Sequence, residues 1–163
     1  MFTTYYGSPI GTIKISGTEN FISEMVFDEG PKEVVPSLSA DMPGLILKGI
    51  EQLIQYFNGE LRIFDLPLNQ HGTEFQHKVW HELVRIPYGK TISYLELSKR
   101  LGDSRVIRAA ATANGRNNIC IVVPCHRVIG SNQELIGYAG GLWRKKYLLA
   151  LENKMAHGVQ TLF

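Results

Sequence analysis

"GKTISYLELSKRLGDSRVIRAAATANG", residues 89–115, is the stretch that decides the fold of the second half of the chain. Ser93 and Glu96 have the spacing of a capping box, which predicts that a short amphipathic helix begins there. Gly102 marks a tight turn, and a second helix is predicted from about Ser104. Two short helices joined by a turn that contains glycine are typical of a helix-turn-helix unit. The apolar residues of the first helix are Leu95, Leu97 and Leu101.

The second helix of this unit has the character of a surface that binds nucleic acid. It carries Arg105 and Arg108 beside a run of alanines, and small side chains allow a backbone to approach DNA closely. The alanine run also fits plain helix propensity, and helical hairpins occur in many proteins that never contact DNA. The pattern alone leaves a purely structural hairpin as the commoner explanation, and it favours DNA binding only together with the charge of this half.

The distribution of charge supports a polyanionic partner. The 163-residue chain has a formal net charge of +2, but residues 1–70 hold four Lys/Arg against nine Asp/Glu, and residues 71–163 hold thirteen against six. A basic half is typical of proteins that bind nucleic acid, although a merely solvated surface has the same composition.

The acidic half predicts a small sheet with a helix packed on it. "GTIKISGTENFISEMVF", residues 11–27, alternates apolar and polar residues around a turn, which indicates a β-hairpin. "PGLILKGIEQLIQYFNGE", residues 43–60, has helical periodicity and a plausible Asn58-Gly59 cap. We place a boundary near residue 70, which gives an N-terminal α/β domain over 1–70 and a C-terminal domain over 71–163.

"TEFQHKVWHELVRI", residues 73–86, predicts the first helix of the basic half, ended by Pro87. Its His77 and His81 have the i, i+4 spacing that zinc ligands adopt on helices, but no glutamate follows His77. A solvated helix face explains them better, and we predict no metal. The predicted apolar face consists of Phe75, Val79, Leu83 and Ile86.

"IVVPCHRVIG", residues 121–130, places Cys125 beside His126 and Arg127. A thiol becomes a nucleophile when a base or a cation favours the thiolate. In an extended chain, however, neighbouring side chains point to opposite faces, and a cysteine is often only a small buried residue. By the same geometry Cys120 should point away from Cys125, so we expect no disulfide between them. These residues alone are compatible both with a catalytic Cys125 and with a Cys125 that is only a buried side chain.

The ordered blocks "FQHKVW", "IPYGKTISY", "NGRN", "PCHRVIG" and "GYAGGLWRKKYLLALE" resemble the O6-alkylguanine-DNA alkyltransferases. These are suicidal DNA-repair proteins, and the likeness covers residues 72–152 in order and spacing. The resemblance implies an α+β fold. Its parts are a small ribonuclease H-like N-terminal domain and a mainly helical C-terminal domain with a winged-helix-like helix-turn-helix.

The resemblance also implies a set of catalytic residues. Cys125 matches the alkyl acceptor, and His126 matches the general base, which acts through a water molecule. Glu152 matches the carboxylate that orients the imidazole, and Tyr94 the phenol that donates toward the departing guanine. Asn117 matches the asparagine that buttresses the turn before the cysteine.

Chemistry on a paired base requires the base to leave the stack, and Arg108 matches the arginine that fills the vacated position. Ala139, in the loop that closes the pocket, offers a backbone N–H but no hydroxyl. The implied DNA-binding residues are Arg108, Tyr94, Ala109, Arg127, Ser93 and Ala113. The implied pocket residues are Tyr138, Ala139, Gly140, Val128 and Trp143.

Four positions depart from the family pattern: Asn118 replaces a usual proline, Ala109-Ala110 a Val-Gly pair, and Leu95 a glycine. These changes affect the expected shape of the DNA-facing helix and of the turn, and none carries reacting atoms. Cys120 has no implied role.

The partner implied is double-stranded DNA that contains O6-alkylguanine, with O4-alkylthymine as a further candidate. No cofactor is required, because the thiol itself is the acceptor. We expect a cytoplasmic monomer without a membrane span, since no apolar run approaches eighteen residues. Two alternatives are a protein that recognises the lesion without transfer, and a thiol hydrolase built from Cys125, His126 and Glu152.

Overall fold

The computed structural model describes residues 1–30 and 41–158. The chain divides into two compact units, Met1–His71 and Gly72–Phe163. The first unit holds an antiparallel sheet and one helix, and the second is mainly helical. The predicted α+β class is thus confirmed.

The sheet of the first unit has the strand order β1-β2-β3. The predicted hairpin is confirmed as β2 and β3, which pair with Ile13 opposite Phe27 and Ile15 opposite Met25. β1 was not among the predicted strands, because its sequence FTTYYGS has few aliphatic residues to reveal a period of two. The strands are β1 Phe2–Ser8, β2 Gly11–Gly17 and β3 Ile22–Phe27.

Helix α1, Gly44–Phe57, covers one face of this sheet and ends at the predicted Asn58 cap. Its buried side is rotated from the predicted one, since Ile54 is exposed and Gln52 is buried. The apolar face predicted from the helical period consists of Leu45, Ile46, Ile50, Leu53, Ile54 and Phe57. The Gln52 side chain accepts from the Asp65 N–H at 3.0 Å and donates to the Asp65 carbonyl at 3.4 Å. A polar residue therefore occupies the apolar face because it satisfies the backbone of the following segment.

The second unit begins with α2, Glu74–Val84. Thr73 and Gln76 form a full capping box at its start. The Trp80 side chain, outside the predicted apolar face, is buried and donates Nε1–H to the Ala113 carbonyl at 2.9 Å. This bond fastens α2 to the second helix of the helix-turn-helix.

The helix-turn-helix consists of α3, Tyr94–Arg100, and α4, Ile107–Gly115, with a 3-10 turn between them. Gly102 has a φ of 96°, which suits the tight turn. Ser93 caps α3 by accepting from the Glu96 N–H at 3.0 Å, but the Glu96 carboxylate pairs with Arg100 at 3.4 Å. The capping box is therefore only half formed, and Leu95, predicted apolar, is 37% exposed.

Residues 117–127, here called the Cys125 turn, are not the extended chain that the sequence analysis assumed. Ile121 has a left-handed φ of 69°, and Cys125–Arg127 form one turn of 3-10 helix. The alternation argument for side-chain directions is therefore wrong there. Both cysteines are nevertheless free.

Two short parallel strands tie the end of the Cys125 turn to the start of α3. β4, Ile92–Ser93, pairs with β5, Val128–Ile129, with Ile92 opposite Val128. Helix α5, Leu142–His157, follows after a loop. Over residues 1–30 and 41–158, no helix is both long enough and apolar enough to cross a membrane.

Candidate active site

The structure places Cys125, His126 and Glu152 in one buried cluster. The 3-10 turn supplies the first two residues, and α5 supplies the carboxylate. His126 Nε2 lies 2.6 Å from Glu152 Oε2, and both side chains are almost completely buried. Cys125 is 7% exposed. The 3-10 turn thus lets His126 reach Glu152 although it follows Cys125 directly.

The imidazole of His126 is held as a neutral base. Burial lowers its pKa, and this effect outweighs the opposite effect of Glu152. A neutral ring that bonds a carboxylate through Nε2 carries its proton on Nε2, a tautomer that the hydrogen bond assigns. Nδ1 is then the basic nitrogen, and it is buried without a hydrogen-bond partner in the described part of the chain. A proton from the thiol side would be received there.

Glu152 accepts hydrogen bonds from three residues. Arg127 donates Nε–H to Oε1 at 2.8 Å and Nη2–H to Oε2 at 3.1 Å, and the Gly89 backbone N–H donates to Oε1 at 3.3 Å. Burial alone would raise the pKa of Glu152, but His126 and Arg127 hold it well below its usual range. The carboxylate is therefore ionised.

Cys125 rests as a thiol. Burial raises its pKa, while a hydrogen bond from Asn117 and the charge of Lys145 act in the opposite direction. A cysteine peptidase depends on a thiolate beside an imidazolium, which is the reverse of the protonation found here. The cluster thus lacks the electrostatics of the hydrolase alternative.

Asn117 closes the Cys125 turn on itself. Its side chain donates to the carbonyls of Val123 at 2.8 Å and Ile119 at 3.2 Å, and it accepts from the Ile119 N–H at 3.1 Å. Asn114, at the end of α4, donates to the Cys125 carbonyl at 3.3 Å. Two asparagines thereby fix the backbone of the nucleophile relative to α4.

Tyr94, the first residue of α3, links that helix to the loop before α5. Its hydroxyl donates to the Ile136 carbonyl at 2.9 Å. Burial, and next the charge of Cys125, raise the pKa of Tyr94. The phenol therefore stays protonated at neutral pH, and its one O–H must turn away from the Ile136 carbonyl before it can donate to a base.

Lys145 belongs to this site, and the sequence analysis missed it. The side chain is 0% exposed and donates to the carbonyls of Val128 at 2.7 Å, Ile136 at 2.9 Å and Gly137 at 3.1 Å. Burial lowers its pKa to about 8. The sequence could have indicated this role, because Lys145 lies seven residues before Glu152 and both are therefore on one helix face.

The predicted pocket residues are only partly brought together. Val128 is buried in the site, and Tyr138 and Gly140 are half-buried in the loop before α5. Ala139 is exposed, and Trp143 is 58% exposed with the Arg144 guanidinium 4.5 Å from its ring centre. Trp143 therefore lies outside the enclosed part of the site.

The predicted DNA-binding residues divide between surface and interior. Arg108 and Ala109 lie on the exposed face of α4, and Ser93 is half-buried with its hydroxyl occupied as a cap. Ala113 and Arg127, in contrast, are buried. For these two the expected DNA contact does not fit: Ala113 packs in the core, and Arg127 pairs with Glu152. Two more exposed arginines flank α4: Arg105 in the 3-10 turn before it and Arg116, the C-cap residue after it; neither was among the predicted DNA contacts.

No group of three or more His, Cys, Asp or Glu side chains gathers as a metal site within residues 1–30 and 41–158. His77 stacks edge-on against Trp80, with 5.1 Å between ring centres.

The sequence matches two family models that span almost the whole chain. Residues 74–154 match "6-O-methylguanine DNA methyltransferase, DNA binding domain", and residues 1–70 match its "ribonuclease-like domain". A methylated-DNA--protein-cysteine methyltransferase of Methanosarcina acetivorans is 44% identical, covering 93% of this chain and 98% of the relative. One of Mycolicibacterium paratuberculosis is 43% identical, with coverage of 96% and 94%.

Solved structures agree with the sequence relatives. The O6-methylguanine methyltransferase of Mycobacterium tuberculosis superposes with a TM-score of 0.82 at 41% identity, covering 99% of this chain and 98% of that one. A structure of the same organism's protein in complex with DNA gives a TM-score of 0.82 at 39% identity, covering 94% and 93%. The chain therefore belongs to the 6-O-methylguanine DNA methyltransferase family.

Proposed function

We propose that this protein repairs DNA by direct reversal, moving the alkyl group of O6-alkylguanine in duplex DNA to Sγ of Cys125. The observation that carries the proposal is the buried Cys125 beside a neutral His126 that Glu152 orients at 2.6 Å. The family and its near full-length relatives support the same reaction.

The site accounts for each step of the transfer. Cys125 loses its proton toward His126 Nδ1 through one water molecule, and Sγ forms a bond with the alkyl carbon. The carbon–oxygen bond breaks, and its electron pair stays on the guanine. The Tyr94 hydroxyl turns from the Ile136 carbonyl and donates its hydrogen bond to the departing base, which relieves the charge on the guanine. One proton leaves the thiol and one arrives on the guanine, so the overall reaction consumes none.

The product limits each molecule to one reaction. A thioether on Cys125 is stable, and the neighbouring groups His126, Glu152 and Lys145 offer no means of cleaving a carbon–sulfur bond. The protein is therefore both reagent and catalyst, and it needs no cofactor.

The guanine oxygen lies inside a base pair, so the base must rotate out of the duplex to reach the buried thiol. We assign the DNA contact to the exposed face of α4, with Arg108 entering the stack. Arg105 and Arg116 add positive charge for the phosphates. We further propose that the protein acts as a cytoplasmic monomer, and that O4-alkylthymine is a second substrate.

A titration with duplex DNA that carries a radiolabelled O6-methylguanine tests the function. We expect one methyl group per molecule, located on Cys125 by peptide mass and absent in Cys125→Ala. Cys120→Ala is the matched control, because it removes the other buried thiol and should retain full transfer. Tight binding without transfer would identify a lesion-recognition protein instead. If the protein showed no binding and no transfer, the proposal would be refuted.

A further inference from the structure

Arg127 is the least expected member of the site. The guanidinium is 6% exposed, and each of its three nitrogens donates a hydrogen bond. Nε and Nη2 bond the two oxygens of Glu152, and Nη1 donates to the Ile86 carbonyl at 2.7 Å. The Tyr88 ring lies below, with 5.6 Å from its centre to Cζ. This geometry is the bidentate arginine–carboxylate pair, which fixes both position and charge.

The Arg127–Glu152 pair affects how strongly the His126 imidazole holds a proton. A lone carboxylate 2.6 Å from an imidazole would favour the imidazolium strongly in a buried site, because opposite charges attract more at low dielectric. The same carboxylate here faces a guanidinium on its other side. The guanidinium therefore offsets part of the attraction that the carboxylate exerts on the imidazole proton, and adds to the larger effect of burial.

The other charged and titratable groups near His126 do not restore that attraction. From α5 come Glu152 and the cation Lys145, and from the Cys125 turn come Cys125 and Arg127. Tyr138 lies in the loop before α5, and burial raises its pKa well above the ordinary value, so it stays a neutral phenol. The Tyr88 ring packs against the Arg127 guanidinium. Helix α2 also packs against this turn, and its buried residues Val79, Trp80 and Leu83 carry no charge.

We propose that Arg127 is a positioning residue of the alkyl transfer: its bidentate bond to Glu152 orients the carboxylate and offsets part of its charge, which helps to keep His126 an unprotonated imidazole. The role in transfer rests on the proposed function, in which an imidazolium could not accept the thiol proton. Burial keeps Cys125 a thiol, and Arg127 helps to keep His126 ready as the base. It acts through Glu152 and touches no reacting atom.

The protonation state of His126 can be observed directly, without DNA. In the 15N-labelled wild-type protein, NMR should show a neutral ring with Nε2 protonated and Nδ1 bare at pH 7. The signal is assigned by its loss in His126→Gln. An imidazolium at pH 7 in the wild type would overturn the proposal outright.

Two variants separate charge from structure. Arg127→Met should raise the midpoint of His126 titration by about one pH unit, a tenfold gain in imidazolium over imidazole. Arg127→Lys, which keeps the cation, should restore most of the wild-type midpoint. An unchanged midpoint in folded Arg127→Met would refute the charge argument.

Removing one partner of a buried ion pair commonly destabilises a protein strongly, so Arg127→Met needs a backup. The double variant Arg127→Met/Glu152→Gln removes both charges together. If Arg127 acts on His126 through Glu152, the His126 midpoint of the double variant falls clearly below that of Arg127→Met. A midpoint as high as in Arg127→Met would show that the rise does not come from the carboxylate, and would contradict the proposal.

Transfer kinetics then connect the state of the base to the reaction. In Arg127→Met the acid limb of the rate–pH profile for methyl transfer should move upward together with the NMR midpoint. A purely structural role would instead lower the rate equally at every pH. If the NMR results are as expected but no methyl transfer occurs in any variant, the proposed function fails and the account of the charge stands.

Discussion

Replacing Lys145 with methionine should remove a pH-dependent contribution to stability that the wild type possesses. Methionine has a similar length but carries neither charge nor N–H donors. Lys145 is completely buried, and its ammonium donates to three backbone carbonyls without a carboxylate partner among its described bonds. Burial accordingly lowers its pKa from 10.5 to about 8.

The sign of the effect follows from proton binding. Between pH 8 and 10.5 the unfolded chain keeps this proton and the folded protein releases it, so folding becomes more favourable as pH rises. The window spans about 2.5 pH units, and at about 1.4 kcal/mol per unit the wild type gains about 3 kcal/mol. Lys145→Met cannot show this gain. The free energy of unfolding of the wild type minus that of the variant should therefore rise by about 3 kcal/mol across the window.

Urea denaturation of both proteins, followed by tryptophan fluorescence at several pH values from 7.5 to 10.5, gives this difference. Other groups that titrate there, such as Tyr94 and Tyr138, act in both proteins and largely cancel. Lys146→Met is the matched control, because Lys146 is exposed and should give a flat difference. If the difference for Lys145→Met were also flat, the assignment of a buried ammonium with a lowered pKa would be refuted.

Four further outcomes are expected. Arg108→Ala should slow methyl transfer from duplex DNA much more than reaction with the free base, since only base rotation is impaired; equal losses in single-turnover rates would contradict this role. Gly89→Ala should destabilise by about 3 kcal/mol, because a left-handed residue costs about 1–2 kcal/mol and its Cβ would lie within 2.5 Å of Ala156 Cβ. Gly102→Ala, equally left-handed but with nothing within 4 Å of its Cβ, should cost only about 1–2 kcal/mol in the same urea denaturation. Thr73→Ala should cost about 1 kcal/mol through loss of the α2 cap and leave the transfer rate unchanged.

The sequence predicted those elements whose signal is local. Helices α1 and α2 and the β2–β3 hairpin follow from apolar periodicity, and the caps and glycine turns locate most of their ends. β1 was not predicted, because its residues are mostly aromatic and polar and show no clear alternation of aliphatic side chains. Leu95 was expected to be buried, but the helix rotation that packing selects leaves it partly exposed. Periodicity over seven residues does not determine such a rotation.

The residues of the site were predicted only where the resemblance to the family named them, and the roles of Lys145 and Arg127 were not. Lys145 and Arg127 have their roles because segments distant in sequence supply their partners: three carbonyls for the ammonium, and Glu152 with Ile86 for the guanidinium. A charge count treats both as surface cations, since lysine and arginine are rarely buried without partners. Only the folded chain shows that these partners exist.

Two asparagines have a consequence for redesign. Asn114, in the last turn of α4, donates to the Cys125 carbonyl, and Asn117 holds the Cys125 turn closed, so α4, the helix proposed to contact DNA, and the nucleophile form one rigid part. Any repacking that shifts α4 would also move the Cys125 thiol, so that Sγ would no longer be aligned with the alkyl carbon. The loop of residues 130–141 bears no such tie to Cys125 among its described bonds. Mutational libraries meant to admit bulkier alkyl groups should therefore vary that loop and leave α4 untouched.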